Sequence, residues 1–133
     1  MIEYYTIDEQ HVVHGPFPFE GWIEWALRME NKLEFEAVCR VGRTQIDGDC
    51  WVSTVFLRGI DHSFFGGGPL LFETMVFGGE HDGDQWRYST WAQAAEGHRH
   101  AVDLVMGTAR PVYGFWLRRT PLADLGQPFR GVR

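Results

Sequence analysis

Two apolar segments, CWVSTVFL (50–57) and LLFETMVF (70–77), predict the centre of the fold. Both carry β-branched and aromatic residues at odd and even positions alike, which is typical of interior strands covered on both faces. The segment between them, RGIDHSFFGGGP (58–69), is rich in glycine, which permits the sharp turns of a loop. We therefore expect two anchoring strands joined by a loop.

The segments before these strands predict a short strand, a helix and a further strand. EYYTI (3–7) is typical of a strand, and HGPFPF (14–19) of an extended connection, because proline disfavours a helix in the residue before it. From Trp22 to Leu33, apolar residues recur at three- and four-residue intervals, which predicts a helix. EFEAVCRV (34–41) alternates apolar and polar residues, so we expect a strand that continues to a hairpin turn at Asp47–Gly48.

The segments after the two anchoring strands predict a final strand, a second helix and an edge strand. QWRYS (85–89) is typical of a short strand, and Thr90 with Gln93 forms a capping box that begins a helix. Gly107 ends this helix, and PVYGFWL (111–117) is suited to an edge strand. The sequence thus predicts an α+β fold, an antiparallel sheet of about 4–6 strands with two main helices packed on one face.

Length and composition are typical of one folded domain. A chain of 133 residues can bury one core, and 44% hydrophobic residues exclude a disordered chain. No apolar run approaches the roughly 18 residues of a membrane span, and the N-terminus lacks a signal-peptide pattern. We predict a single domain over residues 1–133, with a basic C-terminal strand or tail over residues 110–133, no membrane association and a cytoplasmic location.

The net charge of −6 argues against nonspecific binding to nucleic acid, because that affinity comes from cationic side chains. The charge is unevenly distributed, since residues 110–133 hold five arginines and one acidic residue, Asp124. This basic segment could contact phosphate or an acidic partner, or be a solvated terminus that offsets an acidic domain. The two cysteines, Cys39 and Cys50, lack zinc-site spacing and predict two reduced thiols. We expect no metal and no cofactor.

Four polar residues are candidates for catalysis or binding. Asp61 and His62 stand where a strand meets the loop, and the pair could act as a general base or metal ligand. Alternatively, Asp61 could cap the turn while His62 packs or hydrogen-bonds to the backbone. Glu73 lies within an apolar strand, so its carboxylate must either belong to a functional site or have a partner. That partner could be a group on a neighbouring strand, or Arg43, or Arg58. His98 falls on the apolar side of the second helix, where a histidine is usually a core residue.

The segments VSTVFL, GIDHSF, GGGP, LLFETMVFGG and RYSTWAQAAEGH together resemble a widespread group of small proteins of unknown function encoded in tailed bacteriophages and prophages. The resemblance covers residues 41–106. The matching positions are Val52, Ser53, Thr54, Asp61, His62, Pro69, Phe72, Glu73, Thr74, Tyr88, Trp91, Gly97 and His98. This sequence departs from the group's pattern at Arg58, at a single Pro69 where two prolines are usual, and at Gln93. The resemblance implies a phage origin and that Asp61, His62, Glu73 and His98 belong to one motif set.

Our leading hypothesis is a phage-encoded accessory protein that binds a host protein in the host cytoplasm, as an inhibitor of a defence or housekeeping factor. No complete catalytic motif is present, so the sequence favours a protein that is not an enzyme. A homodimer through the edge strand PVYGFWLRR is a further expectation.

Two alternatives stay open. The protein could bind a small molecule or nucleotide, or act as a hydrolase, with Asp61, His62, Glu73 and His98 as a polar cluster. The candidate binding residues for such a ligand are Arg43, Arg58, Arg99 and Trp91. The third possibility is a minor virion component. If the four polar residues surround one pocket, the small-molecule hypothesis gains; if they are separated, partner binding gains.

Overall fold

A computed structural model describes residues 2–63 and 68–107. The elements in chain order are β1 (Tyr4–Ile7), β2 (Val13–Phe17), α1 (Phe19–Arg28), α2 (Lys32–Val38), β3 (Arg40–Asp47), β4 (Cys50–Phe56), β5 (Phe72–Phe77), β6 (Gln85–Tyr88) and α3 (Trp91–Met106). β1 and β2 form one antiparallel sheet, and β3-β4-β5-β6 form a second in that order. This arrangement confirms the predicted α+β fold.

The central strands β4 and β5 form as predicted, with Thr54 opposite Thr74. Along both strands fully buried residues alternate with half-buried ones, so one face of the sheet is more deeply covered than the other. The buried face carries Val52, Phe56 and Val76. Both strands are interior in the sheet, as predicted, and their second face is half-buried rather than fully buried.

Helix α3 covers the deeply buried face of the four-stranded sheet and packs on all four strands. The predicted capping box is present, because the Thr90 side chain accepts from the Gln93 N–H while the Gln93 side chain accepts from the Thr90 N–H. Gly107 ends the helix with a φ of 73°, in the left-handed region that favours glycine. The local signals for this helix were thus sufficient to place both of its ends.

The predicted strand over residues 34–41 was wrong in its first half, because residues 32–38 form α2. The side chain of Asn31 accepts hydrogen bonds from the N–H groups of Leu33 and Glu34, which caps this helix. The segment is also rich in strong helix formers. The cap and these propensities outweigh a short alternating pattern, and β3 begins only at Arg40. The preceding helix, α1, lies over residues 19–28, earlier than predicted.

The N-terminal segment forms a hairpin rather than an extended connection, since β2 pairs with β1. Helix α1 packs against this hairpin, and Trp25 Nε1 donates to the Ile7 carbonyl oxygen at 2.9 Å. The Trp25 ring also meets the ring of Phe56 edge-on, which ties the hairpin layer to the four-stranded sheet. The predicted C-terminal strand or tail over residues 110–133 lies outside the described residues. No helix among the described residues is long and apolar enough to span a membrane.

Candidate functional site

A chain of buried and half-buried polar side chains joins α3 to all four strands of the larger sheet. His98 Nδ1 lies 2.8 Å from Thr54 Oγ1, and His98 Nε2 lies 2.8 Å from Thr44 Oγ1. Thr54 Oγ1 in turn lies 2.6 Å from Thr74 Oγ1, and the Tyr88 hydroxyl donates to Thr74 Oγ1 at 3.1 Å. We call these five residues the hydroxyl–histidine chain.

One arrangement of protons satisfies every bond of this chain. Tyr88 donates to Thr74, Thr74 donates to Thr54, and Thr54 donates to His98 Nδ1. The Nε2–H group of a neutral His98 then donates to Thr44. A neutral imidazole with its proton on Nε2 completes the chain in this arrangement. Since unpaired buried polar groups are costly, these bonds hold His98 against the sheet.

Burial shifts the pKa values of the two titratable groups in the hydroxyl–histidine chain so that the uncharged form of each is favoured. Burial, followed by the nearby positive charge of Arg40, lowers the pKa of His98. Burial also raises the pKa of Tyr88, and this effect outweighs the opposing hydrogen bond to Thr74. Both side chains are thus held uncharged near neutral pH.

Two glycines make room for this chain. An ideal Cβ on Gly97 would lie 2.2 Å from the Tyr88 hydroxyl oxygen, and one on Gly42 would lie 2.8 Å from His98 Cδ2. Neither contact is sterically allowed. Thr54, Thr74, Tyr88, Gly97 and His98 are all positions of the motif pattern quoted above. Much of that pattern is therefore used to join α3 to the sheet.

Glu73 lies on the opposite face of β5 from Thr74, where it is half-buried. Its Oε2 accepts from Arg87 Nε at 3.1 Å, directly across the strand pair β5–β6. The side chains of Glu73 and Arg87 are 13% and 20% exposed, respectively. The partner of Glu73 is therefore Arg87 on a neighbouring strand, which agrees with one of the predicted alternatives. It is neither Arg43 nor Arg58.

Asp61 and His62 hold the base of the loop that joins β4 to β5. Asp61 Oδ1 accepts from the Ser63 and Leu70 N–H groups at 2.8 and 2.9 Å, so this carboxylate caps the turn. The His62 N–H donates to the Leu70 carbonyl oxygen at 3.0 Å. The pKa of His62 is lowered, first by burial and then by Arg87, with Glu73 and Asp61 acting in the opposite direction. His62 is therefore close enough to the Glu73–Arg87 pair to respond to its charges.

The four candidate residues do not share one face of the sheet. His98 is on the α3 side, while Glu73 is on the other side with His62 near it.

The four candidate binding residues are also far apart in their contacts. Arg43 lies over the ring of Trp51, and Arg58 pairs with Glu30. Arg99 is exposed on α3, and Trp91 stacks on His11. In the described part of the chain, no group of three or more His, Cys, Asp or Glu side chains is placed to hold a metal ion.

A surface cluster that was not predicted from the sequence lies on α1 and β1. It consists of the Tyr4, Phe19 and Trp22 rings with the adjoining Ile60, and we call it the aromatic patch. The Tyr4 ring stacks on Trp22 with centroids 4.7 Å apart, and Phe19 meets both rings at 5.9 Å. Ile60 forms a β-bridge with Tyr4, and Ile2 lies two residues before Tyr4 in the sequence. The exposed fractions of Ile2, Phe19 and Ile60 are 66%, 48% and 39%.

Hydrogen bonds fix the aromatic patch. Trp22 Nε1 donates to the Arg58 carbonyl oxygen at 2.9 Å, and the Tyr5 N–H donates to the Gly59 carbonyl oxygen at 2.8 Å. Gly59 has a φ of +81°, and a Cβ there would lie 1.7 Å from the Tyr5 carbonyl oxygen. Only glycine permits this close approach. In the sequence, the sole sign of the patch was the density of aromatic residues at positions 4–22.

No protein-family model, curated protein or solved structure matches this chain.

Proposed function

We propose that the protein is a phage-encoded accessory protein that binds a host protein in the infected cell, through the aromatic patch. The observation that carries this proposal is the cluster of the Tyr4, Phe19 and Trp22 rings at the surface, in which Phe19 and the adjoining Ile60 are exposed and Tyr4 and Trp22 are half-buried. Contiguous exposed apolar side chains on a folded protein are characteristic of interaction sites. Tyrosine and tryptophan are also the residues that most often dominate the binding energy of protein interfaces.

The rigidity of the patch favours binding. The stacked rings and the bonds from Trp22 and Tyr5 to the Arg58–Gly59 backbone hold the surface in one conformation before a partner arrives. A surface that is already ordered loses little conformational entropy on association. The patch is therefore suited to recognise a preformed hydrophobic pocket on the partner.

The charges around the patch favour a partner with a basic rim. Glu3 and Glu20 are exposed beside Tyr4 and Phe19, and the chain as a whole carries a net charge of −6. Complementary charge at the rim of an interface raises the association rate and excludes wrong partners. We therefore assign the partner to proteins that present a hydrophobic pocket surrounded by lysine and arginine.

The alternative of a small-molecule site or hydrolase receives less support from the geometry. It requires Asp61, His62, Glu73 and His98 to act together, yet His98 contacts Thr44 and Thr54 on the other side of the sheet from Glu73. Asp61 is occupied as a turn cap. Separation of these residues favours partner binding over a common site.

A capture experiment with matched variants tests the proposal. Tagged wild-type protein, Phe19→Ala and Val12→Ala are incubated in parallel with host lysate, and retained proteins are identified by mass spectrometry. Val12 is the control, because its side chain is 51% exposed but lies outside the patch. We expect a host protein that wild type and Val12→Ala retain and Phe19→Ala loses, and that binds again as a purified protein. Equal retention by all three would contradict the proposal.

A further inference from the structure

A shallow cavity of about 270 Å³ lies between α1 and the β1–β2 hairpin. Its lining comprises Thr6, Phe17, Gly21, Glu24, Trp25 and Arg28. The Trp25 ring is fixed by the bond from its Nε1 to the Ile7 carbonyl oxygen, so the apolar part of the wall is ordered. This cavity is separate from the hydroxyl–histidine chain and from the rings of the aromatic patch.

Gly21 is the residue of this cavity that the fold does not explain. It lies in the first turn of α1, where glycine is less favourable than alanine by up to roughly 0.5–1 kcal/mol, the cost in the middle of a helix. Its φ is not in the left-handed region, and a Cβ there would meet Phe17 Cβ at 3.5 Å, an ordinary van der Waals contact. Gly97, by contrast, leaves no room for a side chain. The backbone thus tolerates alanine at position 21, and the absence of a side chain there keeps the cavity open.

Glu24 and Arg28 supply opposite charges to the same cavity. They are four residues apart on α1 with the acid first, the order that best supports an ion pair within a helix. Nevertheless, in residues 2–63 and 68–107 no ion pair joins either side chain to a partner within 4.0 Å. A carboxylate and a guanidinium are therefore both available to a ligand above an aromatic wall.

We propose that this cavity binds a free α-amino acid with an apolar side chain. The ligand carboxylate pairs with Arg28, whose guanidinium can donate two parallel hydrogen bonds, and the ligand ammonium group pairs with Glu24. The apolar side chain packs against Phe17 and Trp25, over Gly21. The volume is compatible with a small ligand of this class, because it lies below the roughly 300–1,000 Å³ of pockets for drug-sized ligands. The proposal is independent of the host partner and of the aromatic patch.

Calorimetric titration of the full-length protein tests the ligand class. The probes are L-phenylalanine and L-leucine, together with 3-phenylpropionate and 2-phenylethylamine, each of which lacks one of the two charges. We expect at least one amino acid to bind, and both single-charge analogues to bind at least about tenfold more weakly, since each forfeits one charged contact. Absence of binding by any of the twenty standard amino acids at millimolar concentration would overturn the proposal.

Three variants locate the binding site. Gly21→Ala places a methyl group in the cavity and should abolish amino-acid binding while thermal unfolding shows the fold intact. Arg28→Gln should weaken L-phenylalanine at least tenfold yet leave 2-phenylethylamine unchanged, because that probe has no carboxylate. Glu9→Gln, exposed in the turn between β1 and β2 and outside the cavity, serves as the control. If Gly21→Ala and Arg28→Gln both bind L-phenylalanine as tightly as wild type, the cavity is not its site.

Discussion

The hydroxyl oxygen of Tyr88 lies 2.2 Å from the point that a Cβ of residue 97 would occupy, so β6 and α3 touch only because Gly97 has no side chain. This contact closes one end of the hydroxyl–histidine chain, in which Tyr88 donates to Thr74 and Thr54 bonds to His98. The spacing between helix and sheet is thereby set by a polar chain rather than by apolar packing alone.

The first prediction concerns the same substitution at two helical glycines. Gly97→Ala should lower the free energy of unfolding by about 1–3 kcal/mol, because the methyl group overpacks the buried Tyr88 ring. Gly21→Ala should raise it by up to about 0.5–1 kcal/mol, because alanine favours the helix and its methyl group would meet Phe17 at an ordinary van der Waals distance of 3.5 Å. Urea denaturation of both variants measures these values. Changes of the same sign would refute the contrast between the two positions.

The second prediction concerns pH. Because folding lowers the pKa of His98 below its ordinary 6.5, the unfolded chain binds more protons as the pH falls below this value. The free energy of unfolding should therefore fall as the pH drops from about 6.5 toward the pKa of the folded state. His62, whose pKa is also lowered, contributes in the same sense.

The contributions of the two histidines can be separated by substitution. His98→Gln should flatten the pH dependence of the free energy of unfolding below pH 6.5, measured by urea denaturation at a series of pH values. His62→Gln serves as the comparison, because His62 lies outside the hydroxyl–histidine chain. An unaltered slope in His98→Gln would contradict a lowered pKa of His98 in the folded protein.

The third prediction concerns the cross-strand pair of Glu73 and Arg87. Glu73→Gln should destabilise the fold by about 1–2 kcal/mol, because it removes the negative charge opposite a largely buried guanidinium. Glu36→Gln is the comparison, since the Glu36 side chain, which pairs with Arg40, is 41% exposed, and exposed pairs contribute about 0.2–1 kcal/mol. Thermal and urea unfolding compare the two. Equal changes in the free energy of unfolding would contradict a stabilising contribution from the partial burial of Glu73.

The fourth prediction concerns the acidic rim of the proposed interface. Glu20→Gln should slow association with the host partner at low salt, because the carboxylate attracts a basic surface, and the difference from wild type should shrink as salt screens the charge. Surface plasmon resonance over a series of salt concentrations measures the association rate. Glu9→Gln is the control, because Glu9 is exposed in the turn between β1 and β2. A faster association of Glu20→Gln would assign the partner an acidic rim instead.

Features encoded by neighbouring residues were predictable from the sequence. The Thr90–Gln93 capping box and the apolar pattern of β4 and β5 depend on residues a few positions apart, and each lies where it was expected. Helix α2 was missed because four alternating residues resemble a strand, and the Asn31 cap was not weighed against them.

Features built from distant segments were not predictable in the same way. Thr44 and His98 are separated by 54 residues, and no local pattern reveals that a threonine hydroxyl will face an imidazole. The aromatic patch also depends on a long-range contact, because the Arg58–Gly59 backbone must reach Trp22 and Tyr5. The expectation that Asp61, His62, Glu73 and His98 could converge failed to anticipate that alternation along β5 places Glu73 away from α3.

The central claim is that Phe19 and its aromatic neighbours bind the host partner. The most direct measurement is the dissociation constant of the purified partner for wild-type protein, Phe19→Ala and Val12→Ala by isothermal titration calorimetry. We predict that Phe19→Ala binds at least about 30-fold more weakly, because truncation of a central aromatic anchor costs roughly 2 kcal/mol or more. The affinity of Val12→Ala should stay within about twofold of wild type, because exposed side chains outside an interface contribute little. Equal affinity of Phe19→Ala and wild type, with the fold intact, would contradict the claim.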